Sequence, residues 1–203
     1  MFDTREKKER SLGTKLFLKA HRCNSPKCVM IKKAYRPGLH GKDRHAYSEF
    51  GQQLQEKQKI KYSYGIREAQ MKKIFVTAVK NPGVTGQMII QLLERRLDNA
   101  VFRLGLAPSR SLARQLVSHG HIVVNGKKVG IPSYLVRVRD KIGIRPQSKD
   151  IAQLKDLGER LKKYEAPIWL KLDKEKFEGE VVSLPKDMEV LFDVNMVVDY
   201  YSK

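Results

Sequence analysis

Apolar positions recur at helical spacing in the middle of the chain. Met71, Phe75 and Val79 share one face of residues 67–81, and this pattern predicts an amphipathic helix. Residues 48–65, which precede it, are rich in helix-forming residues and predict another helix. We therefore expect two successive helices in this part of the chain.

The first 46 residues show no such period. Glycine, proline, histidine and basic residues are mixed there, and this composition favours an extended, weakly structured segment. We expect the segment to become ordered when it binds a partner.

A longer apolar face follows the chain break at residues 81–83. The pattern predicts one long helix that is capped by Thr85 and ends at Gly105, and we expect it to link two lobes. A shorter helix is predicted from Ser109 to a glycine C-cap at Gly120.

The segment after this helix has the pattern of β-strands. Asn125 and Gly126 stand between β-prone residues, which is the strongest local signal for a two-residue hairpin. A second β pair is predicted between residues 134–139 and 141–145, joined across Asp140. The remaining predicted elements are a helix over residues 148–165, strands over 168–173 and 179–185, and an apolar, aromatic tail at 192–203.

The chain of 203 residues carries a formal net charge of +19, which calls for a polyanionic partner. Residues 1–73 hold 19 Lys and Arg against 7 Asp and Glu, and residues 74–150 hold 13 against 4. Residues 151–203 hold 9 against 11. We therefore expect the first three quarters of the chain to meet a polyanion and the last quarter to support the fold or contact proteins.

Neither a membrane span nor an export signal is visible. No apolar run approaches the roughly 18 to 20 residues that a span requires, and the N-terminus lacks an apolar core followed by a cleavage site. The two cysteines suit a reducing compartment. The sequence predicts a cytoplasmic protein without membrane contact.

Basic residues concentrate in the segment 91–145, where the helices and the hairpin are predicted. Arginine suits phosphate because its planar fork donates two hydrogen bonds at once, and the helix that starts at Ser109 adds backbone amides. Some of these residues are expected to form solvated pairs instead, Arg96 with Asp98 or Glu94 with Arg95. The candidates for RNA binding here are Arg95, Arg96, Arg103, Arg110, Arg114, Lys127, Lys128, Arg137, Arg139 and Lys141. The N-terminal part adds Lys15, Lys19, Arg22, Arg36, His40, Lys42, Lys57, Lys59, Lys61, Tyr62 and Arg67.

The same segment carries a family resemblance. The run LERRLDNAVFRLGLAPSRSLARQLVSHGHIVVNGKKV closely resembles the RNA-binding module named after small-subunit ribosomal protein four, which is expected over residues 91–150. Further motifs resemble the bacterial type of that ribosomal protein family itself. These are GTKLFLKAHRC, PGLHG, YGIREAQ, PIWL and the terminal VVDYYSK. The resemblance thus covers nearly the whole chain.

The resemblance implies an α+β fold with two lobes. N-terminal helices and the C-terminal tail form a mainly helical lobe, and a second, α/β lobe that binds RNA contains a small antiparallel sheet. The implied parts are a basic, extended segment over residues 1–46, a helical lobe over 47–90 that is completed by 184–203, and an α/β lobe over 91–183.

The resemblance also implies a function. Members of this family are structural constituents of the small ribosomal subunit and bind its rRNA at a multi-helix junction of the 5′ domain, where they nucleate assembly. They lie near the site where mRNA enters, beside small-subunit proteins three and five, and contribute to translational accuracy. The implied partners are therefore rRNA, these two proteins and mRNA.

Two other function classes use the same module. The module is also attached to pseudouridine synthases and tyrosyl-tRNA synthetases, but their catalytic domains are larger than what remains of this chain, and no catalytic motif occurs here. We expect no enzymatic activity. The alternative is a ribosome-associated RNA chaperone or stress factor with the same module, although its minimal forms lack the long terminal segments that match here.

Some members of the family carry a four-cysteine zinc site near the N-terminus. Cys23 and Cys28 match the second pair, but no cysteine stands where the first pair would fall. Two thiolates do not close a tetrahedral site, and carboxylates are poorer ligands for structural zinc. The other donors nearby are His21, His40, Glu6 and Glu9. We expect no metal and no other cofactor; Cys23 and Cys28 would be the ligands if zinc bound.

Overall fold

The computed structural model describes residues 4–43, 46–148, 151, 154, 156–162, 164–186 and 190–202. The chain divides into two compact units. The helical unit comprises residues 1–89 and 188–203, and the α/β unit comprises residues 90–187. The lobes implied by the resemblance meet at residues 90 and 91, and the segment 1–46, expected as a separate part, falls within the helical unit. No helix among the described residues is long and apolar enough to cross a membrane.

Helices make up the first part of the chain, and the strands follow later. In the helical unit these are α1 (Thr4–Leu12), α2 (Ala20–Cys23), α3 (Val29–Lys32), α4 (Glu49–Tyr64) and α5 (Glu68–Val79). Helix α6 (Thr85–Glu94) passes into the α/β unit, which continues with α7 (Leu97–Arg103), α8 (Arg110–Ser118), β1 (Ile122–Val124), β2 (Lys127–Lys128), β3 (Lys141–Ile144), α9 (Leu157–Lys162), β4 (Leu170–Asp173) and β5 (Glu178–Val181). The helical unit is completed by α10 (Val194–Ser202). The predicted α+β class is confirmed.

The first 46 residues are not extended as expected, because their described part contains three short helices. Helix α1 packs against α3 and α4, and Leu16, Cys23 and Cys28 are buried. Two of the helices have only four residues, which is too short to show an apolar period. The prediction was wrong because packing, rather than local periodicity, stabilises helices of this length.

Helix α4 begins and ends where the sequence predicts. Ser48 Oγ accepts a hydrogen bond from the backbone N–H of Gly51 at 3.3 Å, which caps the first turn. Gly65 takes the left-handed conformation that closes a helix, with φ +64°. Both helices predicted before the break at residues 81–83 are confirmed.

Helix α10 packs against α4 and α5 through contacts that meet at Glu68. Its Oε1 accepts hydrogen bonds from Lys57 Nζ at 3.0 Å and from the Tyr201 hydroxyl at 2.7 Å, and its Oε2 accepts one from Lys61 Nζ at 3.0 Å. Phe75 stacks on Tyr201 with ring centroids 5.0 Å apart. Burial alone would raise the pKa of Glu68, but these three hydrogen bonds outweigh it and lower the pKa to about 2.

The strands of the α/β unit form an antiparallel sheet in the order β2-β1-β3-β5-β4. The β1–β2 hairpin turns at Asn125 and Gly126, whose φ angles of +51° and +77° suit the turn that an Asn-Gly pair favours. The predicted hairpin is confirmed, and so are the two late strands, which are β4 and β5. Helices α7 and α8 pack against each other, and Ile122 and Ile142 contribute buried side chains from the sheet.

The second predicted β pair is wrong. Strand β3 pairs with β1 and β5, not with residues 134–139. That segment contributes one isolated bridge, between Leu135 and Arg96. Residues 137–140 do form a turn, but it leads into β3 without pairing the two segments. The Asp140 carboxylate accepts the backbone N–H of Arg137 at 2.8 Å within this turn.

The long helix predicted between Thr85 and Gly105 is broken into α6 and α7. Arg96 has an extended conformation, with φ −64° and ψ 137°. The backbone N–H of Leu97 donates to the carbonyl of Tyr134 at 2.8 Å. The apolar period runs through the break, so local spacing predicted one helix, whereas backbone hydrogen bonds to residues 132–136 end it.

The remaining ends follow the sequence more closely. Ser109 caps α8, as its Oγ accepts the backbone N–H of Leu112 at 3.3 Å, and Gly120 follows the helix with φ +74°. Of the helix predicted over residues 148–165, the structure shows α9. Residues 149, 150, 152, 153, 155 and 163 of that prediction lie outside the described residues.

Replacing Glu68 by glutamine should weaken the helical unit. The unfolded pKa lies near 4.5 and the folded pKa near 2, so the stabilisation is complete above about pH 4.5 and is lost as the pH falls towards 2. We expect Glu68→Gln to lower the free energy of unfolding by about 1 kcal/mol at pH 7 and by little at pH 2. Urea denaturation across this range measures the difference.

Glu175→Gln is the matched control, because this glutamate is exposed on the turn between β4 and β5. Its stability should follow that of the unchanged protein at every pH. A pH-independent effect of Glu68→Gln would contradict the role of the ionised carboxylate.

Gly179 on β5 lies directly against the Leu104 side chain, so an added Cβ would overlap Leu104. We expect Gly179→Ala to lower the free energy of unfolding by about 1–3 kcal/mol, as measured by urea denaturation. Gly158→Ala is the control, since its nearest neighbour is Phe177 at 4.0 Å and alanine favours a helix. Unchanged stability of Gly179→Ala would show that this packing is loose.

Candidate nucleic-acid interface

Two turns of the α/β unit are tied together by Asn125 and Asp140. Asn125 Nδ2 donates to Asp140 Oδ1 at 2.9 Å, and Asn125 Oδ1 accepts the backbone N–H of Lys141 at 2.9 Å. The other oxygen of Asp140 binds the backbone N–H of Arg137, and Arg139 completes this turn with φ +74°. We call residues 125–128 and 137–141 the clasped edge.

The clasped edge carries five exposed basic residues, all of which are candidates from the sequence. They are Lys127, Lys128, Arg137, Arg139 and Lys141. Lys141 is the register partner of Glu180 on β5, so this charge has an acid as its cross-strand neighbour. Cations held on rigid turns are suited to phosphate oxygens, because little conformational entropy is lost on binding.

Arg96 does not reach the surface. Its Nε and Nη2 donate to the two carboxylate oxygens of Asp98, at 3.1 and 2.7 Å, and both side chains are about 5% exposed. The expected Arg96–Asp98 pair therefore forms, but it is buried rather than solvated. It holds the break between α6 and α7, so we leave Arg96 out of the interface.

Glu94 is fully buried and connects two arginines of the interface candidates. It accepts two hydrogen bonds from Arg103, at 3.0 and 2.8 Å, and one from Asn99 Nδ2 at 2.7 Å. Asn99 Oδ1 accepts Arg110 Nε at 2.8 Å, and the Arg110 guanidinium lies over the Phe102 ring, 4.6 Å from its centroid. The side chains of α6, α7 and α8 thus fix where these arginines lie.

Arg95 does not pair with Glu94 as expected, since its Nε donates to the carbonyl of Val136 at 3.1 Å. Arg114 lies half-buried on α8. Sequence reasoning missed Glu94 and Asn99 as residues that position arginines. The available signal was the scarcity of acids, because Glu94 is one of only three in residues 91–145.

The lysines of α4 have partners within the helical unit. Lys57 is 4% exposed, and its Nζ lies 3.2 Å from the Tyr200 hydroxyl and 4.3 Å from the centroid of that ring. Burial alone would lower the pKa of Lys57, but the hydrogen bonds to Glu68 and Tyr200 raise it. Lys61 shares the same acid, and Lys59 pairs with a glutamate of α4 at 2.5 Å. Lys57 thus serves the packing of α10, and we leave it out of the interface.

Several N-terminal candidates lie beside acids. Lys19 and Arg22 both approach Glu6, at 3.9 and 3.2 Å. His40 faces an aspartate three residues later at 3.0 Å. Arg67 is exposed at the start of α5. Pairs as exposed as that of His40 contribute little to stability and can exchange one anion for another.

Other N-terminal cations lie over aromatic rings. The pairs are Lys15 with Phe17, Arg36 with Tyr47, Lys42 with Tyr35, and Lys8 with Tyr62, with distances from the cation to the ring centroid of 4.6 to 5.7 Å. Cations attract the negative face of a ring, and this arrangement holds both groups at the surface. Of these rings, Tyr62 was predicted from the sequence, whereas Phe17, Tyr35 and Tyr47 were not.

Cys23 and Cys28 are buried, free thiols. Cys23 Sγ lies 3.9 Å from both carboxylate oxygens of Glu9. Burial raises the pKa of Cys23, a backbone hydrogen bond at Lys19 opposes this, and the negative charge of Glu9 adds to it. A raised pKa disfavours the thiolate that a metal would require.

Among the other metal donors named from the sequence, those that the structure describes do not complete a site. Glu6 faces basic residues, His40 is exposed, and the side chain of His21 lies outside the described residues. Across the part of the chain that the structure describes, no three side chains of suitable type are grouped to hold a metal ion. The donors that the structure describes do not fit a four-ligand zinc site.

Known families match most of the chain. Residues 2–94 match the family described as "Ribosomal protein S4/S9 N-terminal domain", and residues 95–142 match the "S4 domain". Similar relatives include small ribosomal subunit protein uS4A of Alkaliphilus oremlandii, at 49% identity, and the uS4 proteins of Acetivibrio thermocellus and Koribacter versatilis, at 47% and 50%. Each alignment covers 94% of this chain and 93% of the relative.

The match explains why the basic residues are distributed over both units. The family is one of ribosomal proteins rather than enzymes, which confirms the expectation of a non-enzymatic role. The two matched regions meet at residues 94 and 95, where α6 ends. Since nearly the whole sequence aligns with these relatives, the chain belongs to the uS4 family of small ribosomal subunit proteins.

Proposed function

We propose that the protein, as part of the small ribosomal subunit in the cytoplasm, binds the 5′ domain of its rRNA where several RNA helices meet. The observation that carries this proposal is the clasped edge, where exposed lysines and arginines stand on turns held by Asn125 and Asp140. Such a surface recognises a defined arrangement of phosphates rather than a base sequence.

The physical basis is charge compensation. RNA helices that converge on a junction repel one another, and each bound cation releases counterions and offsets part of this repulsion. Each unit of the protein carries its own basic surface. By holding these RNA helices together early in assembly, the protein would nucleate formation of the subunit.

We further propose that the protein lies near the site where mRNA enters the subunit, in contact with small-subunit proteins three and five, and contributes there to translational accuracy. Residues 151–203 hold 9 basic and 11 acidic residues, a balance that suits protein contacts better than RNA contacts. These residues include α9, β4, β5 and α10.

Binding to the 5′ domain should be selective and strongly dependent on salt. We expect a transcript of the 5′ domain to bind more tightly than a duplex of equal length, with a logarithmic salt slope of roughly −0.7 to −0.9 per phosphate contacted. Arg137→Gln should weaken binding by about tenfold and reduce the slope by about one contact. Filter binding at several salt concentrations measures both quantities.

Lys176→Gln is the matched control, because it removes one exposed charge outside the clasped edge. It should leave affinity and slope nearly unchanged. Equal binding of the unchanged protein to junction and duplex would contradict the proposal. Release from ribosomes in a high-salt wash would instead favour a visiting chaperone or stress factor.

We also propose that the protein functions without zinc. Glu9 and the two thiols offer fewer than four ligands, and burial raises the pKa of Cys23. Elemental analysis of purified protein should therefore find well below one equivalent of zinc, and a chelator should leave the melting temperature unchanged. One tightly bound equivalent that the chelator removes with loss of stability would overturn this proposal.

A further inference from the structure

Phe17 combines two features that are unfavourable for a bulky apolar residue. Its φ of +56° lies in the left-handed region, which side chains of this size rarely adopt. The residue is nevertheless 46% exposed, so burial does not compensate for the strained backbone. A strained backbone that holds an apolar ring in solvent indicates a binding role for that ring.

The conformation of Phe17 is held by a buried acid. Glu9 is 2% exposed, and its Oε1 accepts the backbone N–H groups on either side of Phe17, from Leu16 at 3.0 Å and from Leu18 at 3.1 Å. Amides that converge on one oxygen in this way occur where the backbone alternates in hand, as in anion-binding nests. Because Leu16 is buried, the intervening residue is directed outwards.

The surroundings of the ring are basic. Lys15 Nζ lies 4.7 Å from the centroid of the Phe17 ring, and residues 1–46 hold 13 Lys and Arg against 4 Asp and Glu. Unpaired RNA bases stack on exposed aromatic side chains, and neighbouring cations bind the adjoining phosphates. An apolar site for another protein would be expected to carry fewer charges of one sign.

We propose that Phe17 stacks on an unpaired base of the bound rRNA and that Glu9 positions it. Lys15 covers part of the ring, and the base takes the exposed part. This inference rests on the proposed function, because it assumes that the helical unit contacts rRNA. Glu9 acts only through the backbone on either side of Phe17 and does not touch the RNA.

Substitutions at Phe17 separate binding from stability. Phe17→Gly removes the ring and the strain together, so thermal stability should be equal or higher, while affinity for the 5′ domain transcript should fall by roughly five- to a hundredfold. Phe17→Leu keeps an apolar side chain and should lose about as much affinity. Phe17→Trp keeps an aromatic face and should bind like the unchanged protein.

The role of Glu9 is tested by whether its replacement raises or lowers the affinity for RNA. Glu9→Met removes the oxygen that accepts both amides and makes the protein more positive. Charge alone would tighten RNA binding, whereas loss of the two hydrogen bonds should weaken it. In a Phe17→Leu background, Glu9→Met should cause no further loss of affinity. Glu49→Gln, which makes the same change of charge elsewhere in the helical unit, should bind with equal or higher affinity.

The outcomes distinguish the two proposals. If the unchanged protein does not prefer the 5′ domain, the proposed function fails. If it does, but Phe17→Leu and Phe17→Gly bind equally well, only the stacking inference is overturned. Loss of stability in Phe17→Gly would overturn it as well, because the ring would then be structural. The inference would also be overturned if the Phe17 variants bound naked rRNA normally but gave assembled particles that lack a neighbouring protein. The ring would then contact a protein rather than RNA.

Discussion

A few buried or partly buried carboxylates organise both units of this chain. The sequence contains 41 lysines and arginines but only 22 aspartates and glutamates. Glu94 and Asp98 hold the arginines around the break between α6 and α7. Asp140 clasps two turns, Glu68 joins three helices, and Glu9 orders the loop after α1. Removing an ionised acceptor of this kind leaves its donors uncompensated, so these positions matter to the fold beyond their number.

The placement of these acids divides the basic residues into two groups. Arg96 lies against Asp98 and becomes part of the interior, whereas Arg139, on a turn next to Asp140, points away from the fold. The outward charges repel one another in the free protein, and phosphates would relieve this repulsion. The same excess of charge that weakens the isolated chain therefore strengthens its complex with RNA.

Local chemistry made part of the fold predictable. Ser48, Ser109 and the Asn125-Gly126 turn act within a few residues, and each ends or turns an element where the sequence indicates. The break before Leu97 depends on the carbonyl of Tyr134, which lies far along the chain. Helix α1 likewise depends on packing against α3 and α4. Periodicity cannot register either contact, because it reports only neighbours in sequence.

The candidate interface was predictable in composition but not in detail. Basic residues were identified by type, yet the acid that each one meets is 2 residues away for Arg96, 9 for Arg103 and 11 for Lys57. No single sequence separation between a basic residue and an acid therefore distinguishes the buried basic residues from the exposed ones.

The exposure of Phe17 could not be predicted from the sequence either. Leu16, Phe17 and Leu18 read as one apolar run, and nothing in their order tells which of them faces solvent. The carboxylate of Glu9 decides it, by binding the two amides that flank the ring. A residue can therefore be directed outwards by an acid that never touches its side chain, and only the folded backbone reveals this.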